Sequence, residues 1–171
     1  MENRIITEDG MVIYCAHSKM VEVDSLIPNP KNPNVHPQSQ IDLLAKIMVH
    51  QGVRSPITVS LRSGFIICGH GRLEAIKKNN WKWAPVDYQN YESEALEYAA
   101  MVSDNKIAEL AEIDLSRVNA DFLEFGPDFD TQLLGMLDFK IEPADFKLPN
   151  EKEFDENIET TNECPSCHYR W

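Results

Sequence analysis

The chain has 171 residues, 43% of them hydrophobic and 26% charged, with a formal net charge of −12. Length and composition fit one globular domain with an appendage; they exclude a disordered chain, and no apolar run approaches the roughly 20 residues that cross a bilayer as a helix. A sequence pI near 4.8 excludes a protein that draws in duplex DNA through its overall field, so contact with DNA needs a local basic patch, a divalent metal or a partner.

The opening stretch MENRIITEDGMVIY has no basic segment followed by an apolar one. No secretory signal is expected there, and the chain reads as cytoplasmic. Gly10 to Tyr14 predicts a short strand, and Met20 to Asp24 alternates Val21 and Val23 with Glu22 and Asp24 in the manner of another. Four prolines (Pro28, Pro30, Pro33, Pro37) then forbid regular structure and predict a stiff, extended loop. From Gln38 to His50, Ile41, Leu44, Ala45 and Met48 recur at helical spacing, and Gly52 stops the helix. PITVSL and FIIC, joined by Arg62-Ser63-Gly64, predict a strand pair. A helix is expected from Arg72 to about Asn79, a strand from Ala84 to Tyr88, and helices over Glu92–Val102, Ile107–Glu112, Leu115–Phe125 and Thr131–Phe139. The fold class is α+β: a small mixed sheet with helices, followed by a helical extension.

Beyond residue 140 the composition changes. Residues 141–163 hold eight acids, Glu142 to Glu163, against Lys147 and Lys152, together with Pro143 and Pro149. This reads as a solvated acidic linker between a domain at 1–140 and a small tail at 164–171.

Three segments of the domain can carry chemistry. Cys68-Gly69-His70-Gly71-Arg72 falls at a strand-to-helix junction. A helix N-terminus presents unpaired N–H groups and partial positive charge, which suit phosphate. Glycine lets an anion approach the backbone, Arg72 offers a bidentate fork, and His70 can move a proton near neutral pH. The same letters also fit a tight turn with Arg72 paired to Glu74 or Glu94. The second segment, Pro28 to His36, offers Asn29, Asn32, Asn34, Lys31 and His36 on a braced loop, either as a binding wall or as a connector with local Asx turns. In the third, Ser103-Asp104-Asn105-Lys106, the polar cluster either contacts a ligand or caps the following helix. Nearby, Trp81 and Trp83 read as core closure, although beside Lys78 and Lys82 they could also stack bases; Lys77, Lys78 and Lys82 form the conspicuous basic run.

In the tail, Cys164-Pro-Ser-Cys167-His168 has the spacing of one zinc knuckle. Cys164 and Cys167 supply two ligands where structural Zn²⁺ takes four. Cys15 and His17, the tail of a second chain, or another protein are the candidates for the rest. The alternative is a loose tail with free thiols. The c-type haem pattern that CPSCH also satisfies is set aside, since no export signal accompanies it.

Taken in order, PNPKNPNVHPQSQIDLLAKIMVHQGVRSPITV, IICGHGRLEAIKK, VDYQNY and DNKIAELAEID resemble the N-terminal domain of the ParB/sulfiredoxin superfamily from about Met20 to Ala120. Within it they are most similar to the ParB-like nuclease domain proteins of phages and mobile elements, which often accompany DNA methyltransferases. The resemblance implies a nucleotide-phosphate site. Gly69, Gly71 and Arg72 would sit at the phosphates, closed by Asn34 and His36 on one side and by Asn105 and Lys106 on the other. It also implies a nucleoside triphosphate with Mg²⁺ as ligand, a nuclease, NTP hydrolase or kinase as the enzyme reading with His70 and His36 as proton carriers, and a bacterial or phage-infected cytoplasm. The competing reading is a non-catalytic adaptor that docks a methyltransferase or packaging complex, with a homo-oligomer as a further possibility. Two departures narrow the choice. Sulfiredoxin has its reactive cysteine where this chain has His70, so that chemistry is not expected and Cys68 reads as a buried thiol. Only about 50 residues follow Ala120, an acidic stretch with no basic recognition helix, so a DNA clamp is not expected.

Overall fold

The structure is a computed structural model that describes residues 4–125, 130–136 and 164–168. The chain forms two compact units, residues 1–141 and 142–171. In the first unit, β1 (Ile5–Ile6) and β2 (Val12–Ile13) make a small antiparallel ribbon. The main sheet comprises β3 (Lys19–Glu22), β4 (Ile57–Ser60), β5 (Ile66–Cys68) and β6 (Trp83–Gln89) in the order β3-β6-β4-β5. β6 runs antiparallel to β3 and parallel to β4, and β4 pairs antiparallel with β5.

Position in the sheet explains composition. Ala84, Pro85 and Val86 of β6 are all buried, as expected of an interior strand. Pro85 is tolerated because the β4 ladder starts at Val86, leaving residue 85 paired on the β3 side only. Helix α1 (Gln38–Gln51) ends at Gly52 and buries Ile41, Ala45 and Met48, three of the four positions its periodicity marked, with Leu44 half-buried. It packs on α2 (His70–Lys78), which buries Leu73, Ala75 and Ile76. These side chains meet Met11, Ile13, Ile57, Ile66 and Val86 in one core. Trp81 joins that core, whereas Trp83 is 40% exposed at the start of β6. Helices α3 (Glu94–Ala108) and α4 (Leu115–Phe125) follow, with α3 lying beside the edge strand β5.

The α+β class stands as expected; several boundaries do not. The β1 strand was not anticipated. Helix α2 opens at His70, two residues before Arg72. The expected break at Ser103–Lys106 is absent, because α3 runs continuously through it. The helix is started instead by Ser93, whose side chain accepts from the Leu96 N–H at 3.2 Å. Ser103 and Asn105 turn inward on the helix itself: Ser103 Oγ donates to the Ala100 carbonyl and Asn105 Nδ2 to the Met101 carbonyl. The expected helix from Thr131 is a single 3₁₀ turn, Thr131–Leu134, and residues 137–139 lie outside the described residues. So does the acidic segment 141–163. Among the described residues no helix is long and apolar enough to cross a membrane.

Candidate anion site

The site begins where β5 leaves the sheet and turns into α2. Gly69 makes that turn with φ +97° and ψ +25°, a left-handed conformation open chiefly to glycine. A Cβ at Gly69 would stand 2.9 Å from Arg72 Nη2 and 3.0 Å from Arg72 Nε. The guanidinium is thus folded back across the bare α-carbon of its own helix cap. Leu73 N–H donates to the Gly69 carbonyl at 2.9 Å, closing the first turn. No side chain caps the helix, so the first-turn amides of His70, Gly71 and Arg72 lack the capping acceptor that Ser or Asp would supply. Arg72 Nε is buried and has no hydrogen-bond partner among the described residues. Glu74 and Glu94, the acids that would have made Arg72 an ordinary ion pair, bind Lys77 and Lys31 instead.

The proline loop forms the opposite wall. Its asparagines brace it from within: Lys31 N–H donates to Asn29 Oδ1 at 2.9 Å, and Asn34 N–H to Asn32 Oδ1 at 3.1 Å. It is fixed to α2 twice. Asn29 N–H donates to His70 Nε2 at 3.2 Å, and the His36 ring lies 3.4 Å from the point where a Gly71 Cβ would be. A side chain at Gly71 would thus meet the ring at van der Waals distance, and Gln40 Oε1, 3.0 Å from His36 Nδ1, holds the ring from α1. The third wall is the last turn of α3, which brings Asp104 and Asn105. Together these elements enclose a cleft of about 130 Å³ lined by Asn34, His36, Gln40, Leu44, Gly69, His70, Gly71, Arg72, Asp104 and Asn105.

Seven of the residues singled out in the sequence therefore meet: Asn34, His36, Gly69, His70, Gly71, Arg72 and Asn105. Lys106 does not line the cleft, and its ammonium pairs with Glu109 one turn on. Asp104 and Gln40 were missed. Asp104 had a signal, its place in the SDNK cluster, which was absorbed by the capping reading; Gln40 had none.

Electrostatics around Arg72 are lopsided. Burial pulls the guanidinium below its ordinary value, offset in part by Cys68, Asp104 and Cys15, though an arginine stays charged throughout. The Cys68 thiol is pushed up to about 12, first by burial and then by the charge of Asp104 and a hydrogen bond to it. Burial likewise raises Cys15. Both are therefore neutral thiols at physiological pH, and Asp104 is the carboxylate facing the arginine. His70 titrates below the ordinary imidazole value because it is buried and because His36 lies close by.

The other expected features are less concentrated. Lys77 and Lys78 are held by Glu74 at 3.1 Å and Asp42 at 2.6 Å. In the second unit, Cys164 to His168 form a turn in which His168 N–H donates to the Cys164 carbonyl at 2.9 Å. Cys164 is lowered by backbone hydrogen bonds from Ser166 and Cys167 and by the Cys167 thiol. Among the described residues no group of three or more His, Cys, Asp or Glu side chains comes together to hold a metal ion.

No protein-family model matches the sequence, and no curated protein matches it either. Solved structures do resemble the fold. The C-terminally truncated chromosome-partitioning protein ParB from Caulobacter crescentus, complexed with CTP-γ-S, superposes with a TM-score of 0.52 and 17% identity, over 61% of this chain and 60% of that one. A Pnob8-like ParB-N domain gives 0.43 at 17% identity over 59% and 41% of the two chains, and the Caulobacter ParB bound to the centromeric parS site gives 0.42 at 17% over 57% and 51%. The chain spans about 60% of the first of these proteins. What the likeness establishes is architecture: this chain has a ParB-like α+β fold.

Proposed function

We propose that the chain is a nucleotide-binding module whose receptor for phosphate is the first turn of α2 with Arg72. The single observation that carries this reading is the buried Arg72 Nε, a charged donor left without a partner beside three uncapped amides. Leaving such a donor buried and unpaired costs about 1–3 kcal/mol, a cost that an anion in the cleft removes. A cleft of about 130 Å³ takes a phosphate group but is smaller than the roughly 300 Å³ at which small-molecule pockets begin. A neighbouring cleft of about 240 Å³, between the same loop and the first turns of α3, offers Lys31, Arg62, Phe65 and Tyr98 to the nucleoside. The CTP-γ-S held by the Caulobacter protein of similar fold makes a nucleoside triphosphate, accompanied by Mg²⁺, the first ligand to try. In this reading the module serves DNA processing in a phage or mobile element and docks a partner such as a methyltransferase. The Cys164–Cys167 turn, whose thiolate is already favoured by amide donors, supplies half of a Zn²⁺ site for that docking. Zinc content of the full chain, with Cys164→Ser and Cys167→Ser as controls, tests that last element.

A catalytic reading uses the same cleft. Asp104 and His36 line it within reach of a bound phosphate, which would suit an NTP hydrolase or nuclease. Asp104 is the single carboxylate among the lining residues, however, and a dedicated metal nuclease is expected to present a pair.

The test compares wild type with Arg72→Ala in calorimetric titration with each NTP, and in assays of NTP hydrolysis and plasmid cleavage, with and without Mg²⁺. Loss of charge-assisted hydrogen bonds predicts affinity about 10- to 100-fold weaker in the variant. Binding without turnover supports the module. Turnover abolished by Arg72→Ala supports the enzyme. Equal binding by wild type and variant removes the ligand from this cleft.

A further inference from the structure

We propose that His70 is a positioning residue: its neutral imidazole accepts the Asn29 N–H through Nε2 and thereby latches the proline loop over the anion cleft, and protonation of the ring releases the latch. The inference concerns how the proposed site is held closed, and its link to ligand rests on that reading.

The geometry fixes the chemistry. A backbone N–H can only donate, so the contact at 3.2 Å requires a lone pair on Nε2 and puts the ring hydrogen on Nδ1. A proton on Nε2 would set two N–H groups against each other. The latch spans 41 positions of sequence and joins the first residue of α2 to the start of the loop, whose far end carries Asn34 and His36 into the cleft. Between these points the loop is stiffened by its prolines and its Asn29 and Asn32 turns, so that fixing Asn29 helps fix the wall. Just before the loop, the Ile66 N–H donates to the Ile27 carbonyl at 3.0 Å; within the loop, the other tie at this end, Lys31 to Glu94, joins side chains that are 63% and 62% exposed. Such a pair adds little constraint in water. The half-buried His70 contact is the firmer of the two.

The groups that face His70 set the direction of its titration. His36 from the loop and Arg72 from α2 are the basic groups, Asp104 from α3 is the one acid lining the cleft, and α1 contributes only Gln40 and Leu44. Burial first, and His36 second, hold His70 below the usual 6.5. Its folded value being the lower one, the latch is complete above about pH 6.5 and is lost as pH falls through the folded value. The same role accounts for His70 in a place where it would otherwise be read as a proton carrier: with Nε2 engaged by the Asn29 N–H and the ring hydrogen on Nδ1, the imidazole has no free lone pair to take up a proton.

Nuclear magnetic resonance on the ligand-free full chain tests this without reference to any nucleotide. The expected result is an Nδ1–H tautomer for His70 at pH 8, with the Asn29 amide protected from exchange about tenfold relative to a latch-free variant. That protection falls away as the His70 ring titrates. His70→Gln, which keeps a non-titrating acceptor, is expected to retain protection at all pH values, and His70→Ala to lose it at all of them. An Nε2–H tautomer, or Asn29 protection that ignores the titration of His70, overturns the proposal. A second arm adds inorganic sulfate, whose charge is constant over this range. Sulfate that binds more weakly to His70→Ala than to His70→Gln joins the latch to the anion site. Equal binding by the two variants breaks that link and leaves the loop contact standing, so failure of the latch and failure of the phosphate reading are told apart.

Discussion

At the first turns of α3 the carboxylate of Glu97, 4% exposed, accepts from Ser60 Oγ at 2.9 Å and Ser63 Oγ at 2.5 Å, with Arg62 Nη1 at 3.6 Å. Toward its other end Asp104 and Asn105 line the cleft with Arg72, whose buried Nε has no partner among the described residues. One helix thus joins two polar regions of opposite character. Ser60 and Ser63 also accept backbone N–H groups of the β4–β5 turn, from Arg62, Ser63 and Phe65. The Glu97 region is therefore a closed network whose members answer one another, and it clamps α3 to the hairpin. The Arg72 region is open. Closed networks stabilise folds, whereas a charge-bearing donor left unanswered in a cleft asks for a ligand.

The contrast is sharpest in what substitutions do. Glu97→Ala strands two serine hydroxyls and removes the charged acceptor; it is expected to cost about 3 kcal/mol in urea unfolding, with phosphate affinity falling only as α3 loosens. Arg72→Ala is expected to do the reverse. It weakens nucleotide binding by an order of magnitude or more, yet leaves stability within about 1 kcal/mol of wild type, since lost packing of the stem is offset by relief of the unpaired donor. A large stability loss in Arg72→Ala would make that region structural and erase the distinction. Gly69→Ala comes next, at about 1–2 kcal/mol for left-handed backbone, plus a weaker ligand response because the methyl displaces the guanidinium. Gly64→Ala, also at positive φ but with nothing within 4 Å of the added carbon, is its control: similar strain and unchanged binding. Smallest is Lys106→Ala, expected to change unfolding by less than about 0.5 kcal/mol and nucleotide titration not at all. A clear loss of affinity there would return Lys106 to the site.

Much of this was legible in the residues. The spacing of Ile41, Ala45 and Met48, the four prolines, and the glycines before Arg72 each report a local constraint, and local constraints survive into the fold. What could not be read were pairings across the chain. Nothing near Ser60 marks it as the partner of Glu97, 37 positions on, and nothing near Asn29 marks His70 as its acceptor. The misplaced break in α3 has a similar cause. Ser103 and Asp104 have the letters of a helix cap, and only the competing cap at Ser93 and the packing of α3 beside β5 decide against it. Lys106 was carried into the site with its neighbour Asn105, but its ammonium turns to Glu109 instead.

The central claim, that the Arg72 guanidinium and the bare first turn of α2 receive phosphate, is tested most directly by titrating CTP with Mg²⁺ into the ¹⁵N-labelled full chain. The account predicts that the amide signals of Gly69, His70, Gly71 and Arg72 move together and saturate, accompanied by the Arg72 Nε–H. If those signals stay still, whether CTP binds elsewhere or nowhere, the account is contradicted.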